Sequence, residues 1–567
     1  VLQNSHHSRN RLFGAILLLM VLSLSYATLG RSLLTRPLWM DEIHSWLLIT
    51  DADVGHAMSA LADGADYNPP TYYLVARLLA VFGPVTEYRL RLLSLFFTAA
   101  TAMAMYLILS RRFTAAAALG ATLLAASHRL CVLQSTETRF YALWMCLLMW
   151  YSWLLTKTVD GVWNRTLQRI GLALMAVAIC TTHYFGIISV GLVTTAWTIG
   201  QLRQNRRSAI VQAAGLLVCC VIAVACCLPL LSGQTAALTC ATWVKPPTIA
   251  SSFDYAVQFL PMLPLGICIG AAAAGWFSRQ QPSNGGRFEF VVPPSGGTRL
   301  GIPYKFRLKA GRPTGCRNKV SDTEQPQSED IQAVTPATWG LENTVLLASM
   351  LMPFVLIVFS WIVQPALVNR YAVVAIAGMV PIYAWLLSRA TEAIQNTCVA
   401  IAACWLAFSV HNSSETWDHN LRDQFALRQS LSALSPTDVV VFEDRIDFWL
   451  LQQLQTAQDR PAAWYQADFE NHDLVRPCNL RIVQRDVGRR TQKWYPDRFP
   501  IMPLATLTEL HEFVVVPYVN RPFGELKFPN GYESTRINNR MYRLRRTTSG
   551  DAADLATALH EIRETMR

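Results

Sequence analysis

Asp41 and Glu42 are adjacent carboxylates set between Leu38-Trp39-Met40 and Ile43-His44-Ser45-Trp46. A carboxylate held among bulky apolar residues can take a proton from a hydroxyl or an amine, or hold a cation. Further polar clusters recur along the chain: Asp66-Tyr67-Asn68-Pro69-Pro70-Thr71-Tyr72-Tyr73, Glu137-Thr138-Arg139-Phe140-Tyr141, Thr181-Thr182-His183-Tyr184-Phe185-Gly186 and Arg370-Tyr371. An arginine can hold phosphate oxygens with two parallel N–H groups. Each cluster also admits a plain reading. Asp41 and Glu42 could be solvated loop charges, Glu137 and Arg139 a surface pair, His183 a polar residue at a helix bend, and Arg370 an anchor beside lipid phosphates. Lys245, near Trp243 and Pro246-Pro247, reads more readily as plain than as functional. Neighbours in sequence do not share a helical face, so Asp41 and Glu42 are expected to do different jobs.

The elements that must position these residues are apolar. The chain has 567 residues, 52% hydrophobic and only 15% charged, with a mean hydropathy of +0.25. A soluble domain carries about 25% charged residues, so the composition points to a membrane protein. The net charge of +11 invites nucleic-acid binding, but the basic residues fall in short connections between apolar runs, as cytoplasmic loops do. Nucleic acid is therefore excluded as a partner. Most of the 13 cysteines lie inside apolar runs and read as small buried hydrophobes.

The reading is mainly α, a polytopic bundle of about 11 spans with a C-terminal α/β domain. Residues 1–410 form the membrane domain, with a polar cytoplasmic insert at 278–340, and residues 411–567 form the outer domain. The basic stretch before Leu12 keeps the N-terminus in the cytoplasm, and Leu12–Gly30 is the first span. Leu74–Phe82 is too short to cross and is expected to lie at the interface. Ile170–Gly200 has basic flanks at both ends, which makes it a hairpin with its apex near Thr181–Gly186. Each arm is then roughly 15 residues, about 22 Å at the helical rise, so the apex sits below the outer surface. In the tail, Asp438–Phe442 and Phe513–Val516 read as strands. Phe448–Gln455 and Ala552–Met566 read as helices, and Pro529–Tyr532 as a turn. Only basic residues set this sidedness, yet Asp41, Glu42, Glu137, His183 and Arg370 all fall on the outer side. An ionisable group at a helix centre costs about 2.5–3.5 kcal/mol; at a span end it costs far less.

In order, Trp39-Met40-Asp41-Glu42, Asn68-Pro69-Pro70-Thr71-Tyr72-Tyr73, Glu137-Thr138-Arg139-Phe140-Tyr141, Thr182-His183-Tyr184-Phe185 and Arg370-Tyr371 form a pattern. Over roughly residues 10–410 the chain resembles bacterial GT-C glycosyltransferases of the protein O-mannosyltransferase-like superfamily, whose members include the aminoarabinose and RgtA-like membrane sugar transferases. The polar insert departs from the family's usual short loop.

The resemblance implies a GT-C-type bundle in the bacterial inner membrane. It would move a hexosyl or pentosyl group from a polyprenyl-phosphate donor to a lipid, glycan or protein acceptor at the outer face, among membrane lipids. It gives Asp41 the role of base. Glu42 then binds a metal or orients a partner, although the two acids could be reversed. Glu137 holds a metal, Arg139 or the acceptor, and His183 ligates a metal or hydrogen-bonds the phosphate. A divalent cation (Mg, Mn or Zn) would sit on Glu42, Glu137 and His183. Asn68, Tyr72, Arg139, Tyr141, Tyr184, Lys245, Arg370 and Tyr371 would line the substrate site. A flippase of lipid-linked sugars is the competing class, and a membrane scaffold whose tail binds an outer partner is a third.

Overall fold

A computed structural model describes residues 2–280 except 37, 158–164, 239–246 and 260–261, and residues 340–442 except 364. In the C-terminal region it describes residue 448 and residues 462–465, 490–498, 510–516, 532–538 and 541–547. Lys245, most of the 278–340 insert, the Pro529–Gly531 turn and the two tail helices expected at Phe448–Gln455 and Ala552–Met566 lie outside these residues, Phe448 itself excepted.

Apolar helices dominate because their residues have no better way to satisfy a backbone inside hydrocarbon. Five described helices are long and apolar enough to cross a bilayer: Arg9–Leu29, Glu87–Leu109, Arg206–Gln234, Leu341–Ile362 and Glu392–Thr416. Ala115–Ala126 and Arg129–Ser135 make a sixth only as a pair bent by 74°. Shorter apolar helices include Thr166–Cys180, Gly186–Leu202, Leu263–Trp276 and Ala375–Leu387. The chain is that of a multi-pass membrane protein.

Several elements differ from the sequence reading. The polar patch after Ser127 holds a short buried helix, Arg129–Ser135, whose N-terminus is capped by His128 accepting from the Leu130 N–H (3.2 Å). The span expected at Tyr255–Phe277 is two helices, Ile249–Val257 and Met262–Gln280. Pro261, which has no N–H to donate, lies between them. The last helix runs unbroken from Glu392 to Ser432, well beyond the apolar run that marks it in sequence.

The segment expected at the interface divides in two. It comprises an α-helix, Thr71–Arg77, and a 3₁₀ turn, Leu78–Phe82. Tyr72, Tyr73 and Ala76 face inward while Leu78, Val81 and Phe82 are exposed. The hairpin apex also forms, with a helix ending at Cys180 and another starting at Gly186. Gly186 is needed there, because a Cβ at that position would stand 2.3 Å from the Ile179 carbonyl oxygen.

Five strands of the C-terminal region form one sheet in the order β2-β1-β3-β5-β4: β1 Val439–Phe442, β2 Ala462–Tyr465, β3 Glu512–Val516, β4 Tyr532–Asn538 and β5 Met541–Arg546. The pairs β1–β2 and β1–β3 are parallel, with Val440 opposite Val514 in the latter, and the other two are antiparallel. The apolar runs of β1 and β3 sit centrally, as near-continuous Val runs do when both faces are covered.

The same region braces the helix that carries Asp41, Met40–Thr50. The Thr491 hydroxyl meets His44 Nδ1 (3.2 Å), and the Tyr495 hydroxyl donates to Asp51 (2.8 Å). Arg498 donates to Thr50 (2.9 Å), and Lys493 and Trp494 both reach Asp63 (2.7 and 2.8 Å).

Charge is concentrated at the two ends of the helix Glu87–Leu109. Just beyond its C-terminus, Arg112 and Arg111 hold buried Glu342 (3.0 and 3.7 Å). Near its N-terminus, roughly 30 Å away at the helical rise, lies the second polar cluster.

Candidate active site

The helix Met40–Thr50 opens with Trp39 as its N-cap, so Asp41 and Glu42 lie in its first turn, where the helix dipole favours negative charge. They diverge from there. Glu42 is fully buried and its oxygens are taken. Oε2 accepts from Arg91 Nη2 (2.9 Å) and from the Trp39 N–H (3.0 Å). Oε1 accepts from the Thr138 N–H (2.6 Å) and lies 3.6 Å from Arg36 Nη2. Burial alone would raise its pKa, but Arg91, Arg36 and the two backbone N–H groups outweigh burial and hold it below the usual carboxylate range. Glu42 ties the helix to its neighbours and has no oxygen facing a reactant.

Asp41 faces the other way and is about a fifth exposed. Its Oδ2 lies 2.7 Å from Arg370 Nη2. The Arg370 guanidinium stands over the Tyr141 ring, 5.9 Å from its centroid. Asn369–Ala372 form a 3₁₀ turn that delivers Arg370 and Tyr371 to this point.

A second arginine–aspartate pair lies beside the first. Asp66 accepts from both terminal nitrogens of Arg139, with Nη2 at 3.3 Å from Oδ1. Asp66 also accepts from the Tyr67 N–H (2.7 Å), Asn68 Nδ2 (3.0 Å) and the Tyr73 hydroxyl (2.8 Å). Arg139 Nη1 further donates to the Asp41 carbonyl and to Ser45 Oγ, both at 2.8 Å. Burial would raise the Asp66 pKa, but Arg139 overrides it and the group stays ionised. With Arg139 and Ser45, Asp66 helps tie Asp41's helix to the rest, a role that the sequence does not assign to it within the Asp66–Tyr73 cluster. Its signal is a carboxylate three residues before a Pro-Pro pair among tyrosines.

Glu137 accepts from Trp39 Nε1 (3.1 Å). Burial raises its pKa, with Arg370 opposing and Glu42 reinforcing the rise. His183 lies in the hairpin apex, stacked on Trp144 at 4.6 Å and 16°, with Tyr371 5.4 Å away. Its Nδ1 accepts from the Phe185 N–H (3.1 Å). Burial, with Arg139 and Arg370 adding to it, pushes its pKa down to about 3, so the ring is neutral. Tyr184 turns away and donates to Gln234 (2.6 Å), whose amide holds the Asp66 and Asn68 carbonyls (3.0 and 3.3 Å). Thr71 joins the Pro-Pro loop to the apex through Thr181 (2.6 Å). Tyr72 is buried beneath the site.

The expected metal set does not fit. Glu42 is saturated by two arginines and two N–H groups, Glu137 is engaged by Trp39, and His183 Nδ1 is engaged by the backbone. Among the described residues no three His, Cys, Asp or Glu side chains come together around one point. Arg139, expected on substrate, is engaged by Asp66.

No family model matches the chain, and no curated protein matches its sequence. Solved structures are similar to it. ArnT from Cupriavidus metallidurans in the apo state superposes with a TM-score of 0.53 at 12% identity, covering 93% of this chain and 97% of that one. The fold is that of ArnT. ArnT from the same organism bound to undecaprenyl phosphate matches equally, with a TM-score of 0.52, 12% identity and the same coverage. At that identity the likeness to ArnT is one of architecture. It accounts for the helical bundle and says nothing of individual side chains.

Proposed function

We propose that this protein is a membrane glycosyltransferase that moves a sugar from a polyprenyl-phosphate donor to an acceptor hydroxyl or amine. The observation that carries the reading is the Asp41–Arg370 pair. It sets a partly exposed carboxylate 2.7 Å from a guanidinium that can bind phosphate, at one end of an ArnT-like bundle. Support for a polyprenyl donor comes from the ArnT structure that holds undecaprenyl phosphate.

In this reading Asp41 accepts the proton of the acceptor as its oxygen or nitrogen attacks the anomeric carbon. The bond from that carbon to the phosphate oxygen breaks, and its electron pair leaves on the phosphate. Arg370 offsets the charge that develops there. One displacement of this kind inverts the anomeric centre. General-base assistance is worth roughly 100- to 10,000-fold. Arg139 and Asp66 position the Asp41 helix, Glu42 locks that helix in place, and Tyr141 and Tyr371 set the plane of Arg370. His183, neutral and stacked, can accept or donate one hydrogen bond without adding charge. The site is on the outer face, with the N-terminus cytoplasmic, and residues 1–410 carry the reaction.

Membranes holding the protein, given a panel of radiolabelled polyprenyl-phosphate sugars, should transfer at least one. Asp41→Asn should lower that transfer by roughly 100-fold or more. Transfer unaffected by that change would remove Asp41 from the role of base.

A further inference from the structure

We propose that Asp41 and Arg370 form a latch that the donor itself opens: Asp41 occupies the edge of Arg370 that a phosphate needs, so binding the donor releases the carboxylate to act as base. The inference rests on the reading of this site as one that binds a polyprenyl phosphate.

A guanidinium presents Nε–H and the neighbouring Nη2–H side by side, and this edge fits two oxygens of one phosphate. In Arg370 the Nη2 is held by Asp41 Oδ2 at 2.7 Å. The Nε is buried and has no hydrogen-bond partner among the described residues. A buried donor left so carries an uncompensated desolvation cost. A phosphate that takes both nitrogens satisfies Nε and must displace Asp41 from Nη2. The pair is reachable, since Arg370 is 18% exposed and Asp41 22%. A carboxylate paired with a guanidinium is a weaker base than a released one, because the cation favours its ionised form. The competition therefore favours an order, because Asp41 is the stronger base where a donor phosphate is in place.

The neighbouring pair supplies the contrast. Arg139 and Asp66 are each 6% exposed. Both terminal nitrogens of Arg139 already meet Asp66 oxygens, and Tyr73 and Asn68 hold the carboxylate as well. Arg139 Nε also has no hydrogen-bond partner among the described residues, but at 6% exposure that edge is out of a phosphate's reach and the pair stays closed.

The test is equilibrium binding of undecaprenyl phosphate to the detergent-solubilised full chain. Asp41→Asn should bind it about tenfold more tightly, the scale of one charge-assisted contact released from competition. Glu392→Gln removes an exposed carboxylate in the first turn of the helix Glu392–Ser432, outside this cluster, and should change affinity by less than about threefold. In Asp41→Asn/Arg370→Gln the gain should vanish. Equal tightening by Glu392→Gln, or weaker binding by Asp41→Asn, would overturn the latch and leave the glycosyltransferase reading standing. Saturable binding by none of the proteins would overturn both. Should Asp41→Asn not fold, the infrared difference spectrum of the wild type decides. Adding undecaprenyl phosphate should shift an aspartate carboxylate band, and Arg370→Gln should abolish the shift; an unchanged carboxylate band in the wild type with phosphate bound would overturn the latch.

Discussion

Two arginine–aspartate pairs lie side by side in this molecule and are built differently. Asp66–Arg139 is sealed: both side chains are nearly inaccessible, and Tyr73, Asn68, Ser45 and backbone groups take up most of the other lone pairs and protons, Arg139 Nε excepted. Asp41–Arg370 is partly exposed, so the Nε of its arginine, which like that of Arg139 has no hydrogen-bond partner among the described residues, lies beside an edge a ligand can approach. A sealed pair holds structure, because taking either partner away strands a charge in low dielectric. A pair with an open edge can exchange partners. The difference lies in what surrounds each pair, since the residue types are the same.

That contrast can be broken by measurement. Asp66→Asn should cost about 3–5 kcal/mol of stability, the penalty for stranding buried Arg139, read as denaturant or thermal unfolding in detergent. Asp41→Asn should cost no more than about 1 kcal/mol, as partly exposed pairs do. Equal losses would erase the distinction. Trp39→Phe tests whether Glu137 belongs with the sealed group. It removes the indole N–H from a buried carboxylate and should cost about 1–3 kcal/mol, while leaving undecaprenyl phosphate affinity unchanged.

The smallest effect concerns His183. Its pKa is lowered to about 3 in the fold, against about 6.5 in an unfolded chain. Below about pH 6.5 the unfolded chain binds the extra proton, so this residue's contribution to stability is present above that pH and declines as pH falls toward 3. Between pH 7 and pH 5 the wild type should lose about 1–2 kcal/mol more than His183→Phe does. The acid limb of the transfer rate over the same range should be the same in both proteins, since the ring stays neutral.

Much of the bundle is legible in sequence because hydrophobicity is a local property. The Leu12–Gly30, Leu90–Leu109 and Ala115–Ser127 runs mark described helices, and the Thr181–Gly186 apex follows from basic flanks around an uncharged stretch. The strands Val439–Phe442 and Glu512–Val516 announce themselves through runs of valine and phenylalanine. What is not legible is termination. The helix Glu392–Ser432 outruns its apolar marker by many residues, because a helix continues wherever its backbone and one packed face allow.

The candidate site divides along the same line. The sequence by itself determined that Asp41, Glu137, His183 and Arg370 lie at span ends, because charge is costly in hydrocarbon and cheap at its edge. It also separated Asp41 from Glu42, because consecutive residues of a helix point in different directions. Only the tertiary structure decided which carboxylate meets which guanidinium. Glu42 went to Arg91 and Arg36, Asp66 to Arg139, and Asp41 to Arg370. A charge inside an apolar run, such as Arg91 after Leu90, was the one local hint that a buried partner was waiting. Those partners are far apart in sequence, and any acid could in principle have met any arginine. The packing of the helices decides the pairing, and with it which aspartate is sealed and which is left within reach of a substrate.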